Sequence, residues 1–179
     1  IKDVKKTVAK SHAPAPFTTS TMQQDASSKL NMSSPVCMQV AQHLYEGVET
    51  DGGHVALVTY IRTDSVRVSQ DAVIQARNFI AGKYGEKFVP EKPNYYKSKK
   101  NAQDAHEAIR PIDLALTPEK AKTFLDRNHY NLYKLIYDRF VASQMSEAEY
   151  GVTSVAVAAG EYTYRASGRT TLFKGFTAV

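Results

Sequence analysis

Cysteine is nearly absent: Cys37 is the single one in 179 residues. It cannot form an internal disulfide and has no companion at metal-ligand spacing. That excludes a disulfide scaffold and a cysteine zinc site, and it fits a reducing compartment. Long apolar runs are missing too. Nothing approaches the ~18 residues of a membrane-spanning helix, and the opening Ile1-Lys2-Asp3-Val4-Lys5-Lys6 lacks the apolar block of a secretory signal. A cytoplasmic protein with no membrane partner is expected. There is no internal repeat and no low-complexity tract. What is present is a composition of 42% hydrophobic and 23% charged residues, suited to one globular domain or two small ones. Lys and Arg outnumber Asp and Glu by 23 to 18, a formal charge of +5, which favours a polyanionic partner without requiring one. The chain stops at Val179 within an aromatic-rich segment and reads as a piece of something longer.

Residues 1–21 hold Pro14, Pro16 and the run Thr18-Thr19-Ser20-Thr21, the composition of an extended connector leading to a cap. From Met22 the spacing turns helical, with Met22, Ala26 and Leu30, then Val36, Val40 and Leu44 after Ser33-Ser34-Pro35, which predicts two helices. Residues 47–54 are turn chemistry. They feed Val55 to Ile61, whose β-branched and aromatic content predicts a short buried strand or extended segment. Ser69 can cap a helix running to about Ala81, with Gly82 near its end. A loop with Pro90, Pro93, Tyr95, Tyr96 and Lys97-Ser98-Lys99-Lys100 precedes a short helix expected from about Asn101 to Pro111. Thr117-Pro118-Glu119 starts a further helix, and Leu132, Leu135, Ile136 and Phe140 mark a strongly periodic one whose end is read at Glu147-Ala148-Glu149. Val152 to Val157 and Tyr162 to Arg165 then read as strands joined at Gly160-Glu161. The fold class is α+β: a mainly helical domain over residues 22–147, inserted into a β-rich domain formed by 1–21 and 148–179, whose β parts share one sheet.

In an extended segment side chains alternate, so Tyr60 and Arg62 project to one side, and Asp64 with them if the segment stays extended. A guanidinium beside a phenol favours negative charge on its oxygen and offers a fork to a phosphate, an arrangement suited to tyrosine attacking a phosphodiester. The bland reading is that most of the eleven tyrosines simply pack their rings.

Gln42-His43-Leu44-Tyr45-Glu46 and Thr59-Tyr60-Ile61-Arg62-Thr63-Asp64-Ser65, with Pro16 to Gln24 upstream and His106-Glu107-Ala108-Ile109-Arg110-Pro111 downstream, stand in a fixed order. In these segments the sequence resembles the bacterial type IA DNA topoisomerases, in the topoisomerase I branch. The likeness runs on through Ser167-Gly168-Arg169 and so covers nearly the whole chain. It implies ATP-independent breakage, passage and rejoining of single DNA strands, which relaxes negatively supercoiled DNA through a 5′-phosphotyrosine intermediate. Tyr60 is then the nucleophile, and Arg62 positions the scissile phosphate. It also implies that the β-rich domain is an arch that hinges the helical domain. His106 and Arg110, one helical repeat apart, would share a face toward DNA, although Arg110 has the alternative of an ion pair with Glu107 or Asp104. Gln42 belongs to the signature or is an outward polar position. Arg169 meets DNA or stands as a solvated hinge residue. The acidic Asp-x-Asp-x-x-Glu cluster of the family is missing from these residues, so Mg²⁺ is expected to be bound outside this chain, by the remaining domains of the same polypeptide. A topoisomerase III or reverse gyrase piece, and a noncatalytic DNA-binding module, are the competing readings.

Overall fold

The computed structural model describes residues 1–50, 52–97 and 106–179. Strand β1 (Asp3–Ser11) leads to helices α1 (Thr19–Leu30) and α2 (Ser34–Glu46), then to the small hairpin β2 (Val48–Thr50) and β3 (Gly53–Val55). Helix α3 (Gln70–Tyr84), a short α4 (Pro118–Ala121) and the long α5 (Arg127–Ser143) complete the helical part. Strands β4 (Ala148–Ala159) and β5 (Tyr162–Phe173) and a terminal 3₁₀ turn (Gly175–Ala178) close the chain. The architecture is α+β.

Burial explains the helices. Along α5, Leu132, Tyr133, Ile136, Tyr137, Phe140 and Val141 recur at three and four residues and are all buried, so one face is apolar at the helical period. They pack with Phe17, Met22, Ala26, Val40, Ala41, Leu44, Ala76 and Ile80 in a single core. Full burial of each large aliphatic or aromatic side chain is worth roughly 1.5–3 kcal/mol. The two core tyrosines hand their hydroxyls to the connection before α4: Tyr133 donates to the Leu116 carbonyl at 2.6 Å and Tyr137 to that of Leu114 at 2.7 Å. Burial raises both phenols well above the usual tyrosine value.

The sheet runs β1-β4-β5 and is antiparallel throughout, with Lys5 opposite Ser154 and Ser154 opposite Ser167. Nearly all of β1 and β5 is solvent-exposed. Strands from the two ends of the chain thus flank the helical residues.

Several local expectations change. Helix α1 begins at Thr19, ahead of Met22, because Thr18 forms a reciprocal capping box with Thr21. The turn expected at residues 47–54 carries a short hairpin. Of the strand or extended segment expected from Val55 to Ile61, only the end of β3 and a bridge from Val58 to Pro111 are β structure, and the rest is loop that bends at Thr59 and Ile61. Helix α3 continues through Gly82 to a cap at Gly85. Helix α5 ends at Ser143, not at Glu147. Asn94 donates to the carbonyls of Ser143 and Met145 at 2.9 and 2.8 Å, and Tyr96 donates to that of Ser143, so the last carbonyl of α5 and one just beyond it are satisfied by the proline loop. Ala148 already belongs to β4, while Glu147 and Glu149 each pair with Lys10 at 3.4 Å. The helix expected from Asn101 lies in part outside the described residues, as do Lys99, Lys100 and Asp104. Its described remainder, His106 to Arg110, is not helical: Ile109 bridges Phe17, and the Ala108 amide donates to the Arg67 carbonyl at 2.8 Å. His106 and Arg110 therefore do not share a helix face.

Candidate active site

The segment after β3 is held from two sides. On one, the Leu57 amide donates to Leu44 O at 2.8 Å, that of Ile112 to Leu57 O at 3.0 Å, and that of Thr59 to Arg110 O at 3.0 Å. The Thr59 hydroxyl donates to Ala108 O at 2.9 Å and accepts from the Arg110 amide at 3.0 Å. On the other, the first residue of α1 grips the chain two residues further along. The Thr19 hydroxyl donates to Ile61 O at 2.7 Å and accepts from the Thr63 amide at 2.9 Å, while the Thr19 amide donates to Thr63 O at 2.9 Å. Between these grips Ile61, Thr63 and Ser65 are buried, whereas Tyr60, Arg62 and Asp64 are exposed. The two-residue alternation of an extended chain survives without a regular strand.

Tyr60, Arg62 and Asp64 consequently face one open cleft of about 830 Å³, which Thr19, Ser20, Gln23, Met38, Thr63 and His106 also line. The Tyr60 ring lies against two others, with centroids 5.2 Å from His106 and 5.4 Å from Tyr45, the latter edge-on. It is 37% exposed. Unlike the core tyrosines, its hydroxyl makes no hydrogen bond among the described residues, and the Arg62 guanidinium likewise has no partner among them. The cleft therefore offers a free phenol oxygen, a free guanidinium and an imidazole to whatever enters it.

The other residues singled out in the sequence lie differently. Arg110 is turned into an ion pair, its Nε 2.9 Å from Glu107, and Nη1 donates to Pro111 O at 3.1 Å. Its side chain is 15% exposed, and it does not line the cleft. Gln42 donates to Glu46 at 2.6 Å along α2. Arg169 sits on β5 with its guanidinium 4.1 Å from the centre of the Tyr150 ring. Sequence reasoning did not single out the clamping hydroxyls of Thr19 and Thr59. Their signal was faint, since a threonine beside an extended segment is as ordinary as one in a cap.

A profile of the DNA topoisomerase family matches residues 1–179. The DNA topoisomerase 1 of Fervidobacterium islandicum is 47% identical over 184 residues, which is 100% of this chain and 26% of that protein. That of Helicobacter pylori is 47% identical over 177 residues, or 98% of this chain and 24% of its own length. The full-length topoisomerase I of Thermotoga maritima superposes with a TM-score of 0.88 at 42% identity, covering 99% of this chain and 28% of that one. The chain thus spans about a quarter of the length of these relatives. With every residue matched by the profile and nearly half identical to such relatives, the chain belongs to the bacterial type IA DNA topoisomerases, in their topoisomerase I branch.

Proposed function

We propose that this chain carries the nucleophile of an enzyme that breaks, passes and rejoins single DNA strands without ATP, relaxing negatively supercoiled DNA. The observation behind the reading is the convergence of Tyr60, Arg62 and His106 on one open cleft, with the phenol oxygen and the guanidinium both unengaged among the described residues. The Tyr60 oxygen attacks a backbone phosphorus, forming a bond from tyrosine to the 5′ phosphate as the bond to the 3′ oxygen breaks. The phenol proton leaves and the 3′ oxygen takes one up. Rejoining runs the same steps backward, and because the phosphodiester energy stays in the protein linkage no nucleotide is consumed. Arg62 holds the non-bridging oxygens through its planar fork, and His106 donates to the same phosphate. Arg110, through Glu107, keeps the segment carrying His106 in place, and Gln42 and Arg169 contribute secondary contacts to DNA.

Mg²⁺ belongs to the chemistry the family implies. Among the described residues Asp64 is the one carboxylate lining the cleft, and no group of three or more His, Cys, Asp or Glu is placed to hold a metal ion. A single carboxylate falls short of the donor set Mg²⁺ takes. We assign the ion to parts of the polypeptide outside this chain. The remaining domains are then partners of this one, with residues 22–147 as the helical domain and 1–21 and 148–179 as parts of a hinging arch. No helix among the described residues is long and apolar enough to cross a membrane, and a cytoplasmic DNA enzyme is the reading we adopt.

The test is covalent trapping. Full-length protein incubated with labelled single-stranded DNA and denatured should leave a protein-linked 5′ end, and Tyr60→Phe should leave none while binding DNA as before. An adduct that survives in Tyr60→Phe overturns the assignment and returns Tyr60 to a packing role.

A further inference from the structure

We infer that Thr19 is a positioning residue for cleavage, acting through Arg62. The inference rests on the reading of Tyr60 and Arg62 given above. Both peptide neighbours of Arg62 are fastened to this one residue: Ile61 O receives the Thr19 hydroxyl at 2.7 Å, Thr63 N donates to that hydroxyl at 2.9 Å, and Thr63 O receives the Thr19 amide at 2.9 Å. The hydroxyl also lies 3.1 Å from Thr63 O, so a single oxygen serves three backbone groups. Ile61 and Thr63 are buried on either side, so water does not readily replace a lost bond there.

The Arg62 side chain has no partner of its own among the described residues. Among the described residues no hydrogen bond or ion pair fixes the guanidinium, so its direction follows the backbone on either side of Arg62, which Thr19 holds. Thr19 itself opens α1 one residue after the Thr18 cap, so a rigid helix carries the clamp. Thr59 does the corresponding work on the far side of Tyr60, tying the chain to Ala108 and Arg110. A phosphate fork displaced by about 1 Å is enough to cost on the order of 100-fold in rate, while binding elsewhere along a strand is hardly touched.

The experiment uses the full-length protein and compares Thr19→Val, which keeps the shape and removes the hydroxyl, with Thr19→Ser, which keeps the hydroxyl. Thr19→Val should slow adduct formation by at least about tenfold with DNA affinity unchanged within about twofold, and Thr19→Ser should recover most of the rate. In the double variant with Arg62→Lys, the Thr19→Val loss should nearly vanish, because both substitutions spoil the same contact. Thermal unfolding of each variant is recorded. If Thr19→Val does not fold, Thr19→Cys, of similar size with a weak donor, should fall clearly below serine. Wild-type rates in Thr19→Val or Thr19→Cys, equal losses in the valine and serine variants, or losses that multiply with Arg62→Lys overturn the inference. If the wild-type protein itself forms no tyrosine adduct, the reading of Tyr60 fails and takes this one with it.

Discussion

At the scale of residues, hydroxyl bookkeeping separates structural tyrosines from Tyr60. Tyr133, Tyr137 and Tyr96 are committed to backbone carbonyls, and burial raises the Tyr96 phenol to about 12. Tyr60 is committed to none among the described residues. The alternation that brings Tyr60, Arg62 and Asp64 to one side was legible in the sequence, because an extended chain alternates whether or not it pairs in a sheet. The place of Arg110 was not, since the choice between DNA and Glu107 depends on how residues 106–110 run. A lysine at position 62 cannot reproduce two parallel donors at a phosphate. Arg62→Lys should therefore lower the cleavage rate by about tenfold or more in single-turnover trapping, while DNA affinity changes little. Asp25 carries a different expectation. Burial alone would raise its carboxyl, but Lys29 at 2.7 Å and Arg139 at 2.6 Å hydrogen-bond to it, and these contacts hold it below the usual aspartate range. Its folded value is thus depressed, so its contribution to stability is complete above the unfolded pKa of about 3.9 and is lost as pH falls through the folded value. Asp25→Asn should cost roughly 1 kcal/mol at neutral pH and little near pH 2, read from urea unfolding at the two pH values.

Elements with a clear period and a clear stop were readable, and those shaped by remote partners were not. Ser69 before α3, Pro118 at the start of α4 and Gly160 between β4 and β5 all stand where local chemistry put them. The end of α5 was misplaced because Asn94 and Tyr96, some fifty residues upstream, supply its cap. Its beginning is local: Asp126 accepts from the amides of Asn128 and His129 at 2.9 and 3.0 Å, and from the His129 ring at 2.8 Å. The backbone bond from His129 leads in holding the Asp126 carboxyl below the ordinary range. Asp126→Ala should cost about 1 kcal/mol, the usual worth of such a cap, and Asp126→Asn less. Chemical denaturation of the two variants side by side checks this. Gly175, which opens the terminal 3₁₀ turn, is a harsher case. Its φ is +49°, and an added Cβ would fall 2.2 Å from the backbone oxygen of Glu147. Neither the backbone angle nor the carbonyl can yield cheaply, so Gly175→Ala should detach the turn from the start of β4. Proteolysis close to residue 175 would reveal it.

Across the whole molecule, stability and chemistry are unevenly spread. The helical part owns nearly all the buried side chains, whereas the three-stranded sheet exposes most of its residues and carries Lys5, Lys6, Lys10, Arg165 and Arg169. In the proposed reading the cleft supplies a nucleophile and a phosphate fork, yet among the described residues Asp64 is the one carboxylate lining it. A phenol and one guanidinium provide little of the preorganised charge needed to stabilise a phosphoryl transition state. The 179-residue chain alone should fold and bind DNA weakly through its basic surface. That affinity should fall steeply with salt, because each phosphate contact releases counterions. It should not relax plasmid. The measurement is incubation of the chain with Mg²⁺ and negatively supercoiled plasmid, followed by gel electrophoresis, and the expected result is unchanged supercoiled DNA whose mobility shift disappears as salt is raised. A ladder of relaxed topoisomers would show that these residues hold a complete catalytic set, and that the division of the chemistry between this cleft and the rest of the polypeptide is wrong.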